Sequence, residues 1–156
     1  LTALQQALRV SFQDPSLLER ALVHSSYLNE NPGLNLASNE RLEFLGDAVL
    51  SLIVGHILMR CYPDLKEGDL SRNRANLVNE SQLAEMARSV NLGAYILLGK
   101  GEIQTQGREK NSILADTFEA LTAAIYLDGG FEAAYKIIKK KIPTINRPAG
   151  RLRTQL

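Results

Sequence analysis

The sequence is poor in several features that mark particular classes of protein. It has no tryptophan and a single cysteine, Cys61, among its 156 residues. One cysteine permits no disulfide within the chain, which is typical of proteins from a reducing compartment. The apolar run from Val49 to Met59 is interrupted by Ser51, Gly55 and His56 and is too short to span a bilayer. We therefore expect a cytoplasmic protein without a membrane partner.

Net charge is also nearly absent, because 18 Lys and Arg residues stand against 17 Asp and Glu residues and leave +1. A surface that binds nucleic acid would therefore have to arise from local clustering of basic side chains. The hydrophobic share of 45% and the charged share of 22% are ordinary for a soluble globular protein. A chain of this length is sufficient for one domain with its own hydrophobic core.

Helical periodicity dominates the sequence, and no convincing alternating strand appears. Capping residues, prolines and glycines set approximate bounds for the predicted helices, which are Thr2–Val10, Pro15–His24, Asn39–Tyr62 with Asn39 as the cap, Asp69–Leu77, Asn79–Val90, Asn111–Leu127 and Phe131–Ile142. Two segments are predicted to be loops, Asn29–Ser38 and Gly99–Lys110. The pattern predicts an all-α, bundle-like domain.

Three carboxylates stand at helical spacing in the segment Asn39-Glu-Arg-Leu-Glu-Phe-Leu-Gly-Asp47. Glu40, Glu43 and Asp47 are separated by three and four residues, so a helix places them on one side. Gly46 lies inside this predicted helix, where glycine costs about 1 kcal/mol relative to alanine. We interpret it as a position at which another backbone approaches closely.

A second predicted helix repeats the acidic pattern in the segment Leu114-Ala-Asp-Thr-Phe-Glu119. Here Asp116 and Glu119 share one face, which continues as Ala123 and Leu127. The pattern therefore places carboxylates and apolar residues on the same side of both acidic helices.

Carboxylates at such spacing are most often a solvated helix face, and this alternative has to be weighed first. The acids of the first helix do lie opposite an apolar stripe made of Leu42, Leu45, Val49 and Ile53. The acidic face itself, however, continues as Leu50, Val54 and Leu58 at about 100° per residue. A solvated face does not continue as leucine and valine, so both helices are predicted to be core helices.

Clustered carboxylates beside a core need a partner, and no lysine or arginine shares these faces at the required spacing. Mg²⁺ or Mn²⁺ would supply that partner, because hard divalent cations prefer oxygen ligands. The sequence has no Glu-x-x-His pair for a di-iron bundle and no cysteine cluster for zinc. His24 and His56 are expected to be capping, core or interface residues rather than neighbours of the acids. An all-oxygen site of this kind commonly acts on phosphates.

Basic residues that could contact phosphates occur in two further segments. Arg72 and Arg74 follow Gly68-Asp69, and Lys100, Arg108 and Lys110 flank the predicted loop before Asp116. Ordinary surface charge explains each group equally well. The loop set is the best candidate for RNA binding, because it leads directly into the second acidic helix.

The segment Asn39–Asp47 resembles the signature nonapeptide of bacterial ribonuclease III at every position. Further motifs of that family's endonuclease domain are matched upstream and downstream, at Ala21-Leu-Val-His-Ser-Ser26, Glu67-Gly-Asp-Leu-Ser71, Leu98-Gly-Lys-Gly101 and Ile113-Leu-Ala-Asp-Thr-Phe-Glu-Ala-Leu121. The resemblance covers roughly residues 3–145. The nonapeptide together with the downstream Asp-x-x-Glu is highly specific for this family.

The resemblance implies an all-α homodimer that cuts double-stranded RNA with Mg²⁺, for which Mn²⁺ is expected to substitute. The products would carry 5′-phosphate and 3′-hydroxyl ends with short 3′ overhangs, and rRNA and mRNA precursors would be the substrates. The roles it implies are metal ligands at Glu43, Asp116 and Glu119, catalytic residues at Asp47 and Glu119, accessory acids at Glu40 and Glu67, and a dimer contact at Phe44.

The resemblance also implies a domain arrangement and leaves alternatives open. Residues 1–145 correspond to the catalytic domain, and 146–156 to the start of a linker to a missing C-terminal domain that binds double-stranded RNA. A non-catalytic relative that holds double-stranded RNA or a ribosomal partner would be expected to lose some of the four central acids, and all four are present. A phosphohydrolase of small nucleotides lacks support from a His-Asp pair or a phosphate-binding glycine loop.

Overall fold

Helices account for almost all regular structure in the computed structural model, which describes residues 1–142. Eight α-helices run through them: α1 (Thr2–Leu8), α2 (Pro15–Ala21), α3 (Ser25–Glu30), α4 (Glu40–Cys61), α5 (Glu67–Leu77), α6 (Glu80–Ser89), α7 (Lys100–Gln104) and α8 (Asn111–Lys141). Two 3₁₀ helices, Leu92–Tyr95 and Gly107–Glu109, flank α7. The predicted all-α class is confirmed. The end of the predicted domain and the predicted linker lie outside the described residues.

Helix α8 is the centre of the fold, with α4 packed along it and α2 and α6 against its other sides. Its first half is buried nearly all round, with Leu114, Phe118 and Leu121 each at most 2% exposed. On α4 the residues Ile53 and Ile57 are fully buried. The α4–α8 contact therefore forms the main hydrophobic core, and it fixes how the acidic segments of the two helices face each other.

Helix α4 is longer than the apolar run Val49–Met59 that it contains. By length and composition alone, the whole helix Glu40–Cys61 could cross a membrane. The shorter run Val49–Met59 was predicted to be too short to do so. The helix nevertheless begins with two acidic residues in its first turn and buries one side against α8. Core helices of soluble proteins meet the same length and composition test.

The predicted helix Pro15–His24 is wrong at its C-terminal end, because the chain leaves the helix after Ala21 and starts α3 at Ser25. Between them, Val23 forms an isolated parallel bridge with Leu97. Asn39 is not a side-chain cap as predicted, since its amide nitrogen donates instead to the Ala21 carbonyl at 3.0 Å. These tertiary hydrogen bonds override the local helix signals.

The segment Gly99–Lys110 is not a plain loop, because it contains α7 and a 3₁₀ helix. The predicted break at Asp128-Gly129-Gly130 is confirmed, because two helical stretches meet at a kink within α8. The helical backbone is interrupted at Gly130, which has φ 83° and ψ −177°. This backbone conformation is essentially restricted to glycine. The kink redirects the last turns so that Ala134, Ile137 and Ile138 are buried in the core.

Candidate acidic active site

The site is built where α4 and α8 touch backbone to backbone. A Cβ placed on Gly46 would lie 1.8 Å from the carbonyl oxygen of Glu119, so only glycine permits the observed approach. The prediction that Gly46 allows another backbone to come close is confirmed. Since Asp47 follows Gly46 directly, this contact also sets Asp47 beside Glu119.

An open cleft of about 550 Å³ lies at this crossing and is lined by Glu40, Glu43, Phe44, Asp47 and Glu119. Four of the five lining residues are therefore carboxylates. Asp116 stands next to the cleft, because its carboxyl group is hydrogen-bonded to that of Glu43. Helices α4 and α8 thus bring together five of the six acids that the sequence predicted as site residues.

The acids form two hydrogen-bonded pairs. Burial, followed by the charge and hydrogen bond of Asp116, raises the pKa of Glu43 from 4.5 to about 7. Burial, followed by the charge and hydrogen bond of Asp47, raises the pKa of Glu119 from 4.5 to about 8. Each pair is therefore expected to retain a proton near neutral pH when no cation is present.

Asp116 has neighbours that the sequence did not indicate. Burial is the main cause of its raised pKa, and the nearby charge of Glu80 acts in the same direction. The hydrogen bond with Glu43 and the charge of His24 oppose the shift. His24 is a capping residue, as expected, because it is the N-cap of α3 and does not line the cleft. Its influence on the pKa of Asp116 was not predicted, because the two residues are 92 positions apart along the chain.

His56 lies away from the acids, as expected. Its ring packs edge-on against Phe131 at 5.9 Å and Tyr135 at 5.6 Å between ring centroids. Both partners belong to the part of α8 beyond the kink at Gly130. His56 therefore links the last turns of α8 to α4.

The donor set of the cleft fits a hard divalent cation. All its charged groups are carboxylates, and none of them forms an ion pair with a basic side chain among residues 1–142. In that same part of the chain no three acidic, histidine or cysteine side chains converge closely enough to enclose an ion as they stand. A cation that binds these carboxyl groups would compete with the hydrogen bonds that pair Glu43 with Asp116 and Glu119 with Asp47.

The predicted continuation of the two acidic faces is mostly confirmed. Leu50, Val54 and Leu58 on α4 and Ala123 on α8 are all buried. Leu127 is the exception, since it is 50% exposed in the last turn before the kink at Gly130. The half-buried acids Glu43, Asp116 and Glu119 therefore lie at the edge of the core, whereas Glu40 and Asp47 are exposed.

Phe44 and Glu67 both lie at the surface of the single chain. Phe44 is 83% exposed, which makes it the most exposed of the large apolar residues described. Glu67 is the first residue of α5 and does not line the cleft. Core packing therefore does not account for Phe44, and the proposed roles of both residues stay predictions.

The predicted RNA-binding residues differ in whether other groups of the chain already engage their charged side chains. The Arg108 guanidinium donates to the carbonyls of Gly93 at 2.9 Å and Ile96 at 2.6 Å. Lys110 pairs with Glu102 at 2.9 Å, and the exposed Arg72 pairs with Asp69. Lys100 and Arg74 are exposed. The internal bonds of Arg108 and Lys110 compete with any contact to phosphate.

Comparison with known proteins identifies the relatives of this chain. A sequence profile described as Ribonuclease-III-like matches residues 14–145. A protein named Ribonuclease 3 from Syntrophobacter fumaroxidans is 57% identical over 140 residues, which are 90% of this chain and 58% of that protein. Ribonuclease 3 from Dehalococcoides mccartyi is 48% identical over 144 residues, or 92% of this chain and 61% of that protein. The chain thus spans about three fifths of these relatives.

A solved structure is similar over nearly its whole length. It is the nuclease domain of ribonuclease III from Campylobacter jejuni, with a TM-score of 0.84 and 45% identity. The match covers 92% of this chain and 96% of that one. The Campylobacter structure is described as showing structural flexibility in a region involved in dimer formation.

Proposed function

Because the chain belongs to the ribonuclease-III-like family, we propose that it is the nuclease part of an endoribonuclease that hydrolyses double-stranded RNA with Mg²⁺. The observation that carries this proposal is the crossing of α4 and α8 at Gly46 and Glu119. It gathers the acids of two distant segments into one open cleft with no basic partner among the described residues.

In this proposal Glu43, Asp116 and Glu119 hold the metal, and Mn²⁺ substitutes for Mg²⁺. A bound divalent ion would neutralise charge on the scissile phosphate and promote attack by water. Asp47, which lies beside Glu119, is proposed to accept a hydrogen bond from the attacking water and to orient it. Glu40 lines the outer part of the cleft as an accessory acid, and Glu67 is proposed to act in the same way.

The cleft should bind cation and RNA cooperatively. Without a cation its carboxylates repel phosphate, and with a cation the protons shared within the two acidic pairs are displaced. Double-stranded RNA is read mainly through its shape and 2′-hydroxyl groups, so weak sequence preference is expected. Exposed Arg72, Arg74 and Lys100 are the proposed phosphate contacts, whereas Arg108 and Lys110 serve mainly internal structure.

We further propose that the active form is a homodimer with Phe44 at its interface. Phe44 is a large aromatic side chain beside a polar cleft, and it is 83% exposed. Such exposure is typical of a residue that a partner subunit covers. A two-fold dimer would place two clefts on opposite strands of one duplex. Cleavage on both strands would leave short 3′ overhangs with 5′-phosphate and 3′-hydroxyl ends. Duplex segments of rRNA and mRNA precursors in the cytoplasm are the proposed substrates.

The test is incubation of the protein with end-labelled duplex RNA in Mg²⁺, in Mn²⁺ and in EDTA, with single-stranded RNA of the same sequence as the control. We expect duplex cleavage with either ion, none in EDTA, and products that a 5′-phosphate-dependent exonuclease degrades. Binding of duplex RNA without cleavage would favour the non-catalytic RNA-binding alternative. Hydrolysis of free nucleotides but not of RNA would favour a small-molecule phosphohydrolase.

A further inference from the structure

The α7 segment, residues Gly99–Lys110, is fastened to α3 at its beginning. The carboxyl group of Glu30 accepts the backbone N–H of Lys100, and the Ser26 hydroxyl accepts the backbone N–H of Gly99 at 2.9 Å. A Cβ placed on Gly99 would lie 2.7 Å from the Ser26 carbonyl oxygen, so only glycine permits this approach. The start of α7 therefore has a fixed position on α3.

The end of the α7 segment is fastened to α7 itself. Lys110 Nζ donates to the Glu102 carboxylate at 2.9 Å and to the Thr105 hydroxyl at 3.0 Å. A Cβ placed on Gly107 would lie 2.7 Å from the Glu102 carbonyl oxygen, so the second 3₁₀ helix packs directly on the α7 backbone. Gln106, just before that helix, has φ 62° and ψ 38°. A non-glycine residue keeps this left-handed conformation only where its surroundings hold it, and such residues cluster at functional sites.

Two glutamine side chains of this fixed segment have no task inside the chain. Gln104 and Gln106 are exposed on either side of Thr105. The Thr105 hydroxyl is used internally, since it donates to the Gly101 carbonyl at 3.3 Å. Within residues 1–142, by contrast, neither glutamine amide has a hydrogen-bond partner. Each amide therefore offers two N–H donors and a carbonyl acceptor to a molecule outside the chain.

The two amides lie at the end of the molecule that carries the acidic cleft. Helix α8 begins at Asn111, directly after the α7 segment, and Glu119 lies about 12 Å further along it. Thr105 is bonded to the side chain of Lys110, the residue just before α8. The contact of Gly46 with Glu119 places the first turns of α4 at the same end. An RNA duplex that reaches the cleft is wider than this distance, so it can also meet the amides.

We propose that Gln104 and Gln106 are specificity-determining residues that bind 2′-hydroxyl groups in the minor groove of duplex RNA. A-form RNA displays these hydroxyls in a wide, shallow minor groove, and each of them can donate and accept a hydrogen bond. An amide offers both functions without a charge, so it suits a hydroxyl better than a phosphate. The fixed α7 segment lowers the entropy cost of holding the amides in place. The choice of duplex RNA as the partner rests on the proposed function.

The test compares an RNA duplex with the same duplex carrying 2′-fluoro groups, which keep the A-form and remove the hydroxyl donor. The double variant Gln104→Ala/Gln106→Gly lacks both amides, and glycine suits the φ of 62° at the second position. Binding is measured by fluorescence anisotropy with Ca²⁺ in place of Mg²⁺. We expect the parent to prefer the hydroxyl duplex by at least about tenfold and the double variant by less than about threefold. Each neutral hydrogen bond is commonly worth a factor of about 2 to 10.

Two further measurements separate this role from electrostatic or structural ones. The double variant changes no charge, so the dependence of its RNA affinity on salt should match that of the parent. Its melting temperature should equal or exceed the parent value, because the left-handed position gains glycine. Gln82→Ala, at an exposed glutamine of α6, is the matched control and should keep the parent preference.

The outcomes distinguish this assignment from the proposed function. A double variant that keeps the parent preference overturns the assignment, even if the parent cleaves duplex RNA as proposed. A parent without any preference, or without any binding of the duplex, overturns it as well, and so does a preference lost only together with a lower melting temperature. If the parent shows the preference, the double variant loses it and neither cleaves RNA in Mg²⁺, the assignment stands and the proposed nuclease activity fails.

Discussion

The carbonyl oxygen of Glu119 occupies the space that a side chain on Gly46 would need, at 1.8 Å from an added Cβ. Neither residue of this contact can be understood from its own helix. Glycine is unfavourable within α4, and the Glu119 carbonyl belongs to the regular hydrogen-bonded backbone of α8. Their approach brings α4 and α8 together at the level of the acids and makes one cleft from two helices.

We therefore expect Gly46→Ala to force α4 and α8 apart. Overpacking typically costs about 1–3 kcal/mol, more than the gain of about 1 kcal/mol in helix propensity. Activity on duplex RNA should fall further than stability, because Asp47 and Glu119 would be displaced relative to each other. Chemical denaturation and initial cleavage rates measure the two effects.

Gly55→Ala is the matched control on the same helix. A Cβ there meets only the Arg74 guanidinium at 3.6 Å, which is ordinary contact. This variant should be as stable as the parent or slightly more stable, with unchanged cleavage. If Gly46→Ala and Gly55→Ala had the same stability and the same cleavage rate, the role given to the Gly46–Glu119 contact would be contradicted.

The stability of the metal-free protein should fall as pH rises. Glu43 and Glu119 have folded-state pKa values raised from 4.5 to about 7 and about 8, so the native state keeps protons that the unfolded chain loses in this window. Because the unfolded state then binds fewer protons, the free energy of unfolding decreases between about pH 4.5 and 8 and levels off above it. Urea denaturation in EDTA across this range measures the slope, and Glu119→Gln should reduce it.

Divalent cations should reverse this loss of stability. An ion that binds the native cleft and not the unfolded chain raises the melting temperature in proportion to the logarithm of its concentration. Mg²⁺ and Mn²⁺ at millimolar concentration should therefore stabilise the protein most above pH 7, where the acids would otherwise be charged. A thermal scan at pH 8 without any shift would count against a metal site in the free protein.

Glu119→Ala should abolish cleavage without harming the fold. Glu119 is a proposed metal ligand and catalytic residue, and removal of one carboxyl from a mutually repelling group should leave the metal-free protein equally or more stable. Single-turnover cleavage in saturating Mg²⁺ and thermal melting in EDTA measure the two effects. Glu132→Ala, at an exposed acid beyond the kink of α8, is the control and should cut normally. A Glu119→Ala protein with the parent rate would exclude an essential role.

The sequence was sufficient to predict what depends on local periodicity. Both acidic helices, their apolar continuations at Leu50 and Val54, and the close approach at Gly46 follow from spacing and residue type. Contacts between distant segments were not accessible in this way. The bridge from Val23 to Leu97 ended α2 early, and folding brought His24 and Glu80 near Asp116. The break at Gly130, by contrast, was signalled locally by its glycine pair and is confirmed.

Phe44 should anchor the proposed dimer. It is 83% exposed in the single chain, so its exposure has to be explained by something other than the core. Aromatic anchors that fill a partner's pocket commonly contribute about 2 kcal/mol or more, which exceeds a tenfold change in the dissociation constant. Phe44→Ala should thus weaken self-association more than tenfold while the melting temperature of the monomer stays the same. Sedimentation equilibrium over a concentration series measures the constant.

The control for Phe44→Ala is Phe12→Leu, which alters a phenylalanine that is only 7% exposed. A core change of this kind should lower the melting temperature and leave the dimer constant unchanged. The two phenylalanines should therefore show opposite patterns, one in association and the other in stability. A folded Phe44→Ala protein with the parent dimer constant would refute the anchor role. It would also remove the main structural support for placing the dimer contact beside the acidic cleft.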